Sequence, residues 1–428
     1  MHDATSMNSG SPPETSLVWL RHDLRLEDNP LFFPPHERRS HQLLVMYVLD
    51  QRWLTPVDGL RRLGAARLRL LWQSLMNLRG MLLRRGSDLL VRIGDPVEEV
   101  LALVHQHDVE CLEVSHAPGH EDRQALSHIA QRLPVTTTLY CHAQDQIALG
   151  SAENDSGVSV PDTRILEDTC AAHQWEVVSG AGRYASYRAR TPLEGLPYSL
   201  PPWPDSAARG FPPLASICTA ANRWQPEIPA LAALQGGEEP ARAQLEALIW
   251  HAGLASHEQD SCLPCTPGQP TWLLSPWLTL GCISARRILQ VLNERRREIG
   301  DDEACQRLVA GLVQRERWQQ RLREKEGSES GVGAEKWCGD ELHEQETNSE
   351  AFVRWREGRS GDARADRAMQ VLAHEGWLPC PERRYLAHIW LEGGGDWRLG
   401  ARWFERCLLD YDVAVTWGEW RRLAGLPV

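Results

Sequence analysis

The stretch DWRLGARWFERCLLDYDVAVTWGEW, residues 396–420, decides how the second half of the chain folds. Apolar residues recur at helical spacing between residues 398 and 409, and Asp396 is a good N-cap, so we predict a helix there. Two carboxylates, Asp410 and Asp412, follow it, and two tryptophans come next. Rings crowded beside acids suggest a pocket for a planar, polar ligand. A tryptophan-rich core with surface acids is the alternative.

Arginine is the expected partner of these acids, because buried carboxylates are costly unless they are paired. Arg383, Arg384 and Arg398 are the candidates. The chain also has 18 Trp against 5 Phe and 7 Tyr. A core has no special need for indole, so this bias weakly favours a functional use such as stacking or electron transfer.

The composition limits the other classes of function. The formal net charge of −12 argues against tight, non-specific binding of nucleic acid, although it leaves room for a local basic face. The 11 cysteines are scattered, as in reduced cytosolic proteins, and the lone CxxC at residues 262–265 predicts no metal site. Neither a signal peptide nor a membrane-spanning run is recognisable, so we expect a cytoplasmic protein with no membrane partner.

The chain divides into four parts by pattern. Residues 1–15 read as a disordered tail. Residues 16–142 alternate strands and helices, which predicts a Rossmann-like parallel α/β sheet, although no GxGxxG follows the first strand. Residues 143–235 are rich in Pro, Gly, Ser and Ala and read as a connector between two domains. Residues 236–428 show repeated helical periodicity, so the second domain is predicted to be all-α.

Five short motifs resemble the photolyase/cryptochrome family and occur in the same order as in that family. They are RHDLRLEDNP at residues 21–30, RRGSDLLVRIGDP at 84–96, LSPWLTLGCIS at 274–284, WREGRSG at 355–361 and DWRLGA at 396–401. Five ordered matches spanning about residues 17–425 are hard to obtain by chance.

The resemblance implies an N-terminal antenna domain and a helical C-terminal domain that holds FAD bent into a U. The antenna pigment would be of folate or deazaflavin type. In the repair enzymes of this family, the excited flavin passes an electron to a pyrimidine dimer flipped out of DNA; in cryptochromes the photochemistry serves signalling. The protein would position the cofactor and tune its surroundings. A monomer is expected.

The resemblance also assigns cofactor-binding residues by position. The hydroxyls of Thr271 and Ser275 match the sites on the FAD phosphates, where a following helix start adds free N–H groups. Arg315 matches an arginine facing the flavin, and Arg383 matches the arginine that pairs with the first of two flavin-site acids; a slip of one residue would give that role to Arg384. The remaining matches are Trp377, Asp410 and Asp412.

Tryptophans matching the family's electron-supply chain are only partly present. Trp420 corresponds to the ring next to the flavin, and Trp397 corresponds to the next ring outward. The outermost position is Gln345, so the usual three-step relay is incomplete. Four other indoles are candidate substitutes, although each is more often a core residue: Trp337, Trp355, Trp390 and Trp403.

The departures from the family pattern fall mainly on the substrate side. Gly311 and Gln314 stand where repair enzymes carry a glutamate and a tryptophan that contact the dimer. Arg422 replaces a further aromatic residue, and Thr416 replaces the asparagine that faces the reactive flavin nitrogen. On the flavin side, the Cys-Pro at residues 380–381 replaces the usual Asn-Arg, so FAD affinity is expected to be reduced.

Three functions are compatible with these residues. The first is a light-dependent deoxyribodipyrimidine photolyase acting on DNA with altered lesion contacts. The second is a cryptochrome-like photoreceptor that binds FAD and repairs nothing. The third is a flavin-free scaffold, which the retained charges at Arg383, Asp410 and Asp412 disfavour because unused buried charge destabilises a fold.

Overall fold

The computed structural model describes residues 14–34, 39–56, 60–116, 119–142, 195–212, 234–250, 274–300, 303–326 and 347–426. Its N-terminal part contains a five-stranded, all-parallel sheet of order β3-β2-β1-β4-β5. The strands are β1 (Thr15–Leu20), β2 (Gln42–Asp50), β3 (Leu90–Gly94), β4 (Cys111–Ser115) and β5 (Thr138–His142). The predicted Rossmann-like α/β sheet is confirmed.

The centre of the sheet is its most buried part, because a parallel sheet is covered by helices on both faces. All six residues of β1 are buried, and Leu17 pairs with Leu44 of β2 and with Leu112 of β4. The helices of this half are α1 (Gln51–Leu54), α2 (Ala65–Leu83), α3 (Pro96–Gln106) and α4 (His120–Arg132). The run of apolar residues in β1 therefore reflects burial on two faces.

Three local differences from the sequence pattern have simple causes. Strand β1 begins at Thr15, one residue before the predicted boundary. Val135, predicted to start the last strand, is fully exposed, and β5 begins three residues later. Helix α4 was not predicted, because Ala125 and Ile129 are its only buried residues and form too narrow a stripe to be recognised.

Part of the predicted connector packs against the sheet. The Val91 amide donates to the Gly210 carbonyl at 2.9 Å, and the Leu43 amide donates to the Pro202 carbonyl at 3.1 Å. The indole of Trp203 is buried beside them. Residues 195–212 therefore lie along the α/β half.

The C-terminal half is helical where it is described, as predicted. Its helices are α5 (Glu238–Trp250), α6 (Ser275–Thr279), α7 (Ala285–Glu298), α8 (Glu303–Glu326), α9 (Glu350–Arg356), α10 (Ala363–Glu375), α11 (Cys380–Glu392), α12 (Trp397–Cys407) and α13 (Val413–Leu423). The Asp396 carboxylate caps α12 by accepting from the Arg398 amide at 2.8 Å, as the sequence predicts. Within the described ranges, none of the helices is both long and apolar enough to cross a membrane.

The RHDLRLEDNP motif joins the two halves. The Leu24 amide donates to the Leu280 carbonyl at 3.1 Å, and an Arg25 guanidinium N–H donates to the Gly281 carbonyl at 3.1 Å. Ser284 Oγ donates to Asp28 Oδ2 at 2.8 Å. Gly281 has φ +69°, and a Cβ there would lie 1.9 Å from the His22 carbonyl oxygen, so only glycine fits this contact.

Candidate functional site

Three predicted cofactor residues from distant parts of the chain meet in the helical half. Arg383 Nη2, on α11, donates to Asp410 Oδ2 at 2.8 Å and to Oδ1 at 3.0 Å. Ser275 Oγ, at the first residue of α6, donates to the same Asp410 Oδ2 at 2.9 Å. The structure therefore brings together the hydroxyl, the guanidinium and the carboxylate that the sequence placed at one site.

The arginine of this group is held in a single orientation. Arg383 Nε donates to the Leu378 carbonyl at 2.7 Å, and the guanidinium carbon lies 5.9 Å from the ring centroid of Trp377. Burial would lower the pKa of Arg383, but the charge and hydrogen bond of Asp410 outweigh it and raise the pKa above its usual value. The Arg383 guanidinium thus stays charged. Arg384 makes its contact elsewhere, with Glu419 at 3.7 Å.

The second acid, Asp412, is fixed by two different elements. Its Oδ1 accepts from the backbone amides of Ala414 and Val415, which makes it the N-cap of α13. Its Oδ2 accepts from Gln319 Nε2 at 2.8 Å and lies 3.3 Å from Arg315 Nε, both on α8. The sequence predicted Arg315 but missed Gln319, which lies one helical turn further along the same face.

The residue between the two acids ties the site to the α/β half. The Tyr411 ring lies 4.7 Å from the guanidinium carbon of Arg67, which belongs to α2. Its hydroxyl accepts from Trp417 Nε1 at 3.0 Å. Sequence reasoning missed this contact, because nothing in the pattern marks Tyr411 apart from its position between the two acids.

The predicted flavin-facing and electron-supplying residues lie on the last two helices. Thr416 and Trp420 are buried and stand one turn apart on α13. Trp420 contacts Phe404 edge to face at 5.2 Å between centroids, whereas Trp397 contacts Trp417 at 5.8 Å. Thr271, Trp337 and Gln345 lie outside the described residues.

The substrate-side positions differ from one another in burial and partners. Gly311 is exposed on α8, and a Cβ there would meet nothing within 4 Å, whereas Gln314 is half-buried. The guanidinium of Arg422 donates to Glu419 Oε2 at 2.9 Å. Glu419 also pairs with Arg384. Its carboxylate therefore offsets the positive charge of both arginines on the substrate side of the site.

A second concavity opens at the carboxyl ends of β1 and β2, where ligand sites of parallel sheets are found. Its cavity volume is about 40 Å³, and it opens to solvent. Its lining includes Trp19, Arg21, Tyr47, Arg52, Trp53 and Asp122. Across the described parts of the chain, no group of three or more His, Cys, Asp or Glu side chains has the arrangement of a metal site.

The donor set of the helical site fits a flavin dinucleotide. Asp410 and Arg383 can fix a polar ring edge, Ser275 can donate to a phosphate or ribityl oxygen, and Trp377 supplies an apolar wall. Arg315 Nε is buried, and within the described residues it makes no hydrogen bond despite its proximity to Asp412. The same guanidinium donates from Nη2 to the Leu278 carbonyl at 3.4 Å, so it is already partly engaged by the protein.

Comparison with known proteins agrees with this fold and site. Residues 16–163 match the family model of DNA photolyase, and residues 308–428 match that of the FAD binding domain of DNA photolyase. The chain belongs to the photolyase/cryptochrome family, and its helical half is the FAD-binding domain of that family.

The similar proteins include both cryptochromes and photolyases. Cryptochrome DASH of Synechocystis sp. is 26% identical over 432 residues, covering 97% of this chain and 81% of the relative. The crystal structure of a Synechocystis sp. PCC6803 cryptochrome superposes with a TM-score of 0.76 at 24% identity, covering 97% and 83% of the two chains. The crystal structure of an archaeal photolyase from Sulfolobus tokodaii, described with two FAD molecules, superposes with a TM-score of 0.62 at 19% sequence identity. The match covers 96% of this chain and 83% of the archaeal chain.

Proposed function

We propose that this protein is a FAD-dependent blue-light photoreceptor of cryptochrome type that does not repair pyrimidine dimers. The observation that carries the proposal is the substrate side of the site. Gly311 offers no side chain to a flipped base, Gln314 has no broad face for stacking, and Arg422 is tied to Glu419. A lesion would therefore lack both its hydrogen-bonding acid and its aromatic support.

The residues of the helical half hold the cofactor in this proposal. When bound, FAD supplies light absorption and one-electron chemistry. The Arg383–Asp410 ion pair places a fixed charge pair beside the ring, and the Ser275 hydroxyl turns from Asp410 to donate to the polar tail when the cofactor binds. Asp412, held by Gln319 and by the start of α13, keeps Thr416 and Trp420 in register with the ring. Trp377 closes one side of the site against water.

The concavity of the α/β half is the place we assign to an antenna pigment, of folate or deazaflavin type. Trp19, Tyr47 and Trp53 supply aromatic surface, and Arg21 and Arg52, paired with Asp122 and Asp50 of the same lining, supply polar contacts. We also infer a cytoplasmic location, because the described cysteines all carry free thiols. A monomer is the oligomeric state that we propose.

A photolyase acting on DNA is the second candidate, favoured by the space at Gly311. Among the described residues, no atom lies within 4 Å of a Cβ built at Gly311, so this side of α8 leaves space for a substrate group. Arg384 and Arg422 would contact its phosphates if the shared Glu419 carboxylate released them. In that case recognition would rely on the phosphate backbone more than on stacking.

One experiment separates these functions. The purified protein is examined for the absorption of bound flavin and is then illuminated with blue light together with single- or double-stranded oligonucleotides that contain a pyrimidine dimer. A yellow protein that reverses no dimer supports the photoreceptor. Reversal in either substrate establishes the photolyase, and a colourless protein contradicts both.

A further inference from the structure

The indole of Trp420 is in contact with a second line of tryptophans. Its ring centroid lies 6.3 Å from that of Trp355, edge to face at 82°. Trp355 in turn lies 5.2 Å from Trp390, with an angle of 35° between the two planes. The three rings belong to α13, α9 and α11, and all are buried. A continuous indole path therefore leads away from the flavin side of the helical half.

Trp397, which the sequence comparison placed next to Trp420 in the electron-supply chain, is arranged less favourably for electron transfer to Trp420 than Trp355 is. Among the ring pairs of the described residues, Trp397 contacts Trp417 and is not a partner of Trp420. The backbone of α12 approaches the far edge of the Trp420 ring, since a Cβ on Gly400 would lie 2.2 Å from Trp420 Cη2. Phe404 also contacts Trp420, but a phenyl ring is much harder to oxidise than an indole.

Local charge favours the same line. The guanidinium carbon of Arg421 lies 5.6 Å from the Trp397 ring centroid, and that of Arg402 lies 5.4 Å from Trp417. A cation over a ring is attracted by the neutral indole but repels a positive charge that develops on it. Arg421 and Arg402 therefore oppose the oxidation of Trp397 and Trp417.

The rings of the second line are surrounded differently. Trp355 Nε1 donates to the Leu386 carbonyl at 3.3 Å, and Trp390 Nε1 donates to the Asp396 carbonyl at 2.7 Å. Carbonyl oxygens stabilise a positive charge on the donor. Within the parts of the chain that the structure describes, no arginine is recorded over Trp355, Trp390 or Trp420, whereas Trp403 is flanked by two, Arg356 and Arg406.

The outer end of this line lies just beneath the surface. Trp390 sits under the turn of three glycines that separates α11 from α12, where Gly393 and Gly394 are exposed. A Cβ on Gly395 would lie 2.1 Å from the Trp390 indole, so the glycine backbone covers this outer edge of the ring. An electron donor in solution can therefore approach Trp390 closely.

We propose that Trp355 and Trp390 form the electron-supply route of this protein, in the order Trp420, Trp355, Trp390. An electron that leaves Trp420 for the excited cofactor leaves a radical cation on that indole. Trp355 then donates an electron to the oxidised Trp420, and Trp390 donates an electron to the oxidised Trp355. The positive charge therefore ends on Trp390. There a small thiol in solution returns one electron, releases its proton to water and becomes a thiyl radical. Two thiyl radicals then combine to form a disulfide. No proton is transferred along the line, because a peptide carbonyl is not a base.

This route rests on the proposed function, since it needs a bound flavin. The test compares flavin-loaded wild type with Trp355→Phe, Trp390→Phe and Trp397→Phe, and with Trp403→Phe as a control in the same aromatic cluster. Flavin content is measured from the absorption spectrum. The tryptophan radical is then recorded after a light flash by transient absorption and electron paramagnetic resonance, with and without a thiol reductant.

The outcomes separate the route from the cofactor. We expect the long-lived radical to be lost in Trp390→Phe and in Trp355→Phe, and to be retained in Trp397→Phe and Trp403→Phe, with its decay accelerated by thiol. If Trp355→Phe fails to fold, the radical signal of Trp390→Phe alone tests the route. Loss of the radical in Trp397→Phe alone overturns the route and leaves the proposed function standing. A protein that holds no flavin overturns both.

Discussion

Arg62 and Glu405 form a buried ion pair between the two halves of the molecule, with Nε 2.7 Å from Oε1. The same guanidinium reaches Glu121 of α4 at 2.6 Å, and Arg402 lies 3.0 Å from the other oxygen of Glu405. Burial opposes the charge of Glu405, but the two arginines outweigh it and hold the pKa of this carboxyl below its usual value. The pair therefore fixes α12, and the acids that follow it, against the α/β half.

Replacing Arg62 by methionine should cost about 3–5 kcal/mol of unfolding free energy, because it leaves the Glu405 carboxylate buried with only one cation. Urea denaturation followed by circular dichroism measures this loss. Arg132→Met is the matched control, since the ion pair of Arg132 and Glu98 is exposed on both sides. Its cost should be much smaller, because solvent screens an exposed ion pair. Equal losses in the two variants would refute the structural importance of the buried pair.

Arg383→Met should weaken FAD binding by about 2–5 kcal/mol, because it removes one partner of a buried, hydrogen-bonded charge pair. Titration of the apoprotein with FAD, followed by quenching of flavin fluorescence, gives the dissociation constant. Arg384→Met tests the alternative register of one residue. It should bind FAD like the wild type, since Arg384 pairs with Glu419 and not with Asp410. A larger loss in Arg384→Met would reverse the assignment.

Gly311→Ala should raise the unfolding free energy by up to about 1 kcal/mol, because glycine is a poor helix former and the added methyl group meets no neighbour. Gly418→Ala is the opposite case on α13. Its Cβ would lie 2.4 Å from the buried Trp318 ring, so overpacking should destabilise the protein by about 1–3 kcal/mol. Thermal unfolding of both variants checks the contrast. Destabilisation by Gly311→Ala would mean that the substrate face is not open.

Stability should fall as pH rises above 6.5, because of His22. Burial lowers its pKa, but the hydrogen bond and charge of Asp122 more than compensate, and the pKa is raised above 6.5. For Asp122, burial is likewise outweighed by His22, and its pKa is about 2, so it stays ionised. The folded state thus binds the His22 proton more tightly than the unfolded state does. Its stabilisation is complete below pH 6.5 and is lost as pH rises through the folded pKa.

Urea denaturation at a series of pH values, for wild type and His22→Asn, measures this effect. The variant should lose the part of the decline that lies above pH 6.5. His388→Asn is the control, because His388 and Glu392 are both largely exposed and solvent screens their interaction. A decline that persists unchanged in His22→Asn would exclude this histidine as its source.

The parts of the fold that the sequence predicts are those governed by local pattern. The apolar run of β1, the N-cap Asp396 and the periodicity of α12 each need only a few neighbouring residues. The pairing of Arg383 with Asp410 could also be predicted, because the family motifs fix the alignment of these positions with those of the family. The roles of these residues in binding FAD stay predictions.

The parts that escaped prediction depend on how distant segments meet. Gln319 reaches Asp412 only because α8 packs along α13 in one register, and nothing in its own surroundings marks it. Glu419 pairs with Arg422 from the preceding turn of α13, a contact that the family motifs do not indicate. The rings of Trp355 and Trp390 come from different helices, so their contact depends on interhelical packing.

The Arg62–Glu405 contact has a consequence for dissecting the molecule into fragments. A piece comprising the helical half alone would keep Glu405 and lose Arg62, so a carboxylate adapted to a dry interface would face water or remain buried with reduced compensation. Such a fragment is a poor starting point for expression or crystallisation. The two halves are better regarded as one cooperative folding unit, to be studied in the intact chain.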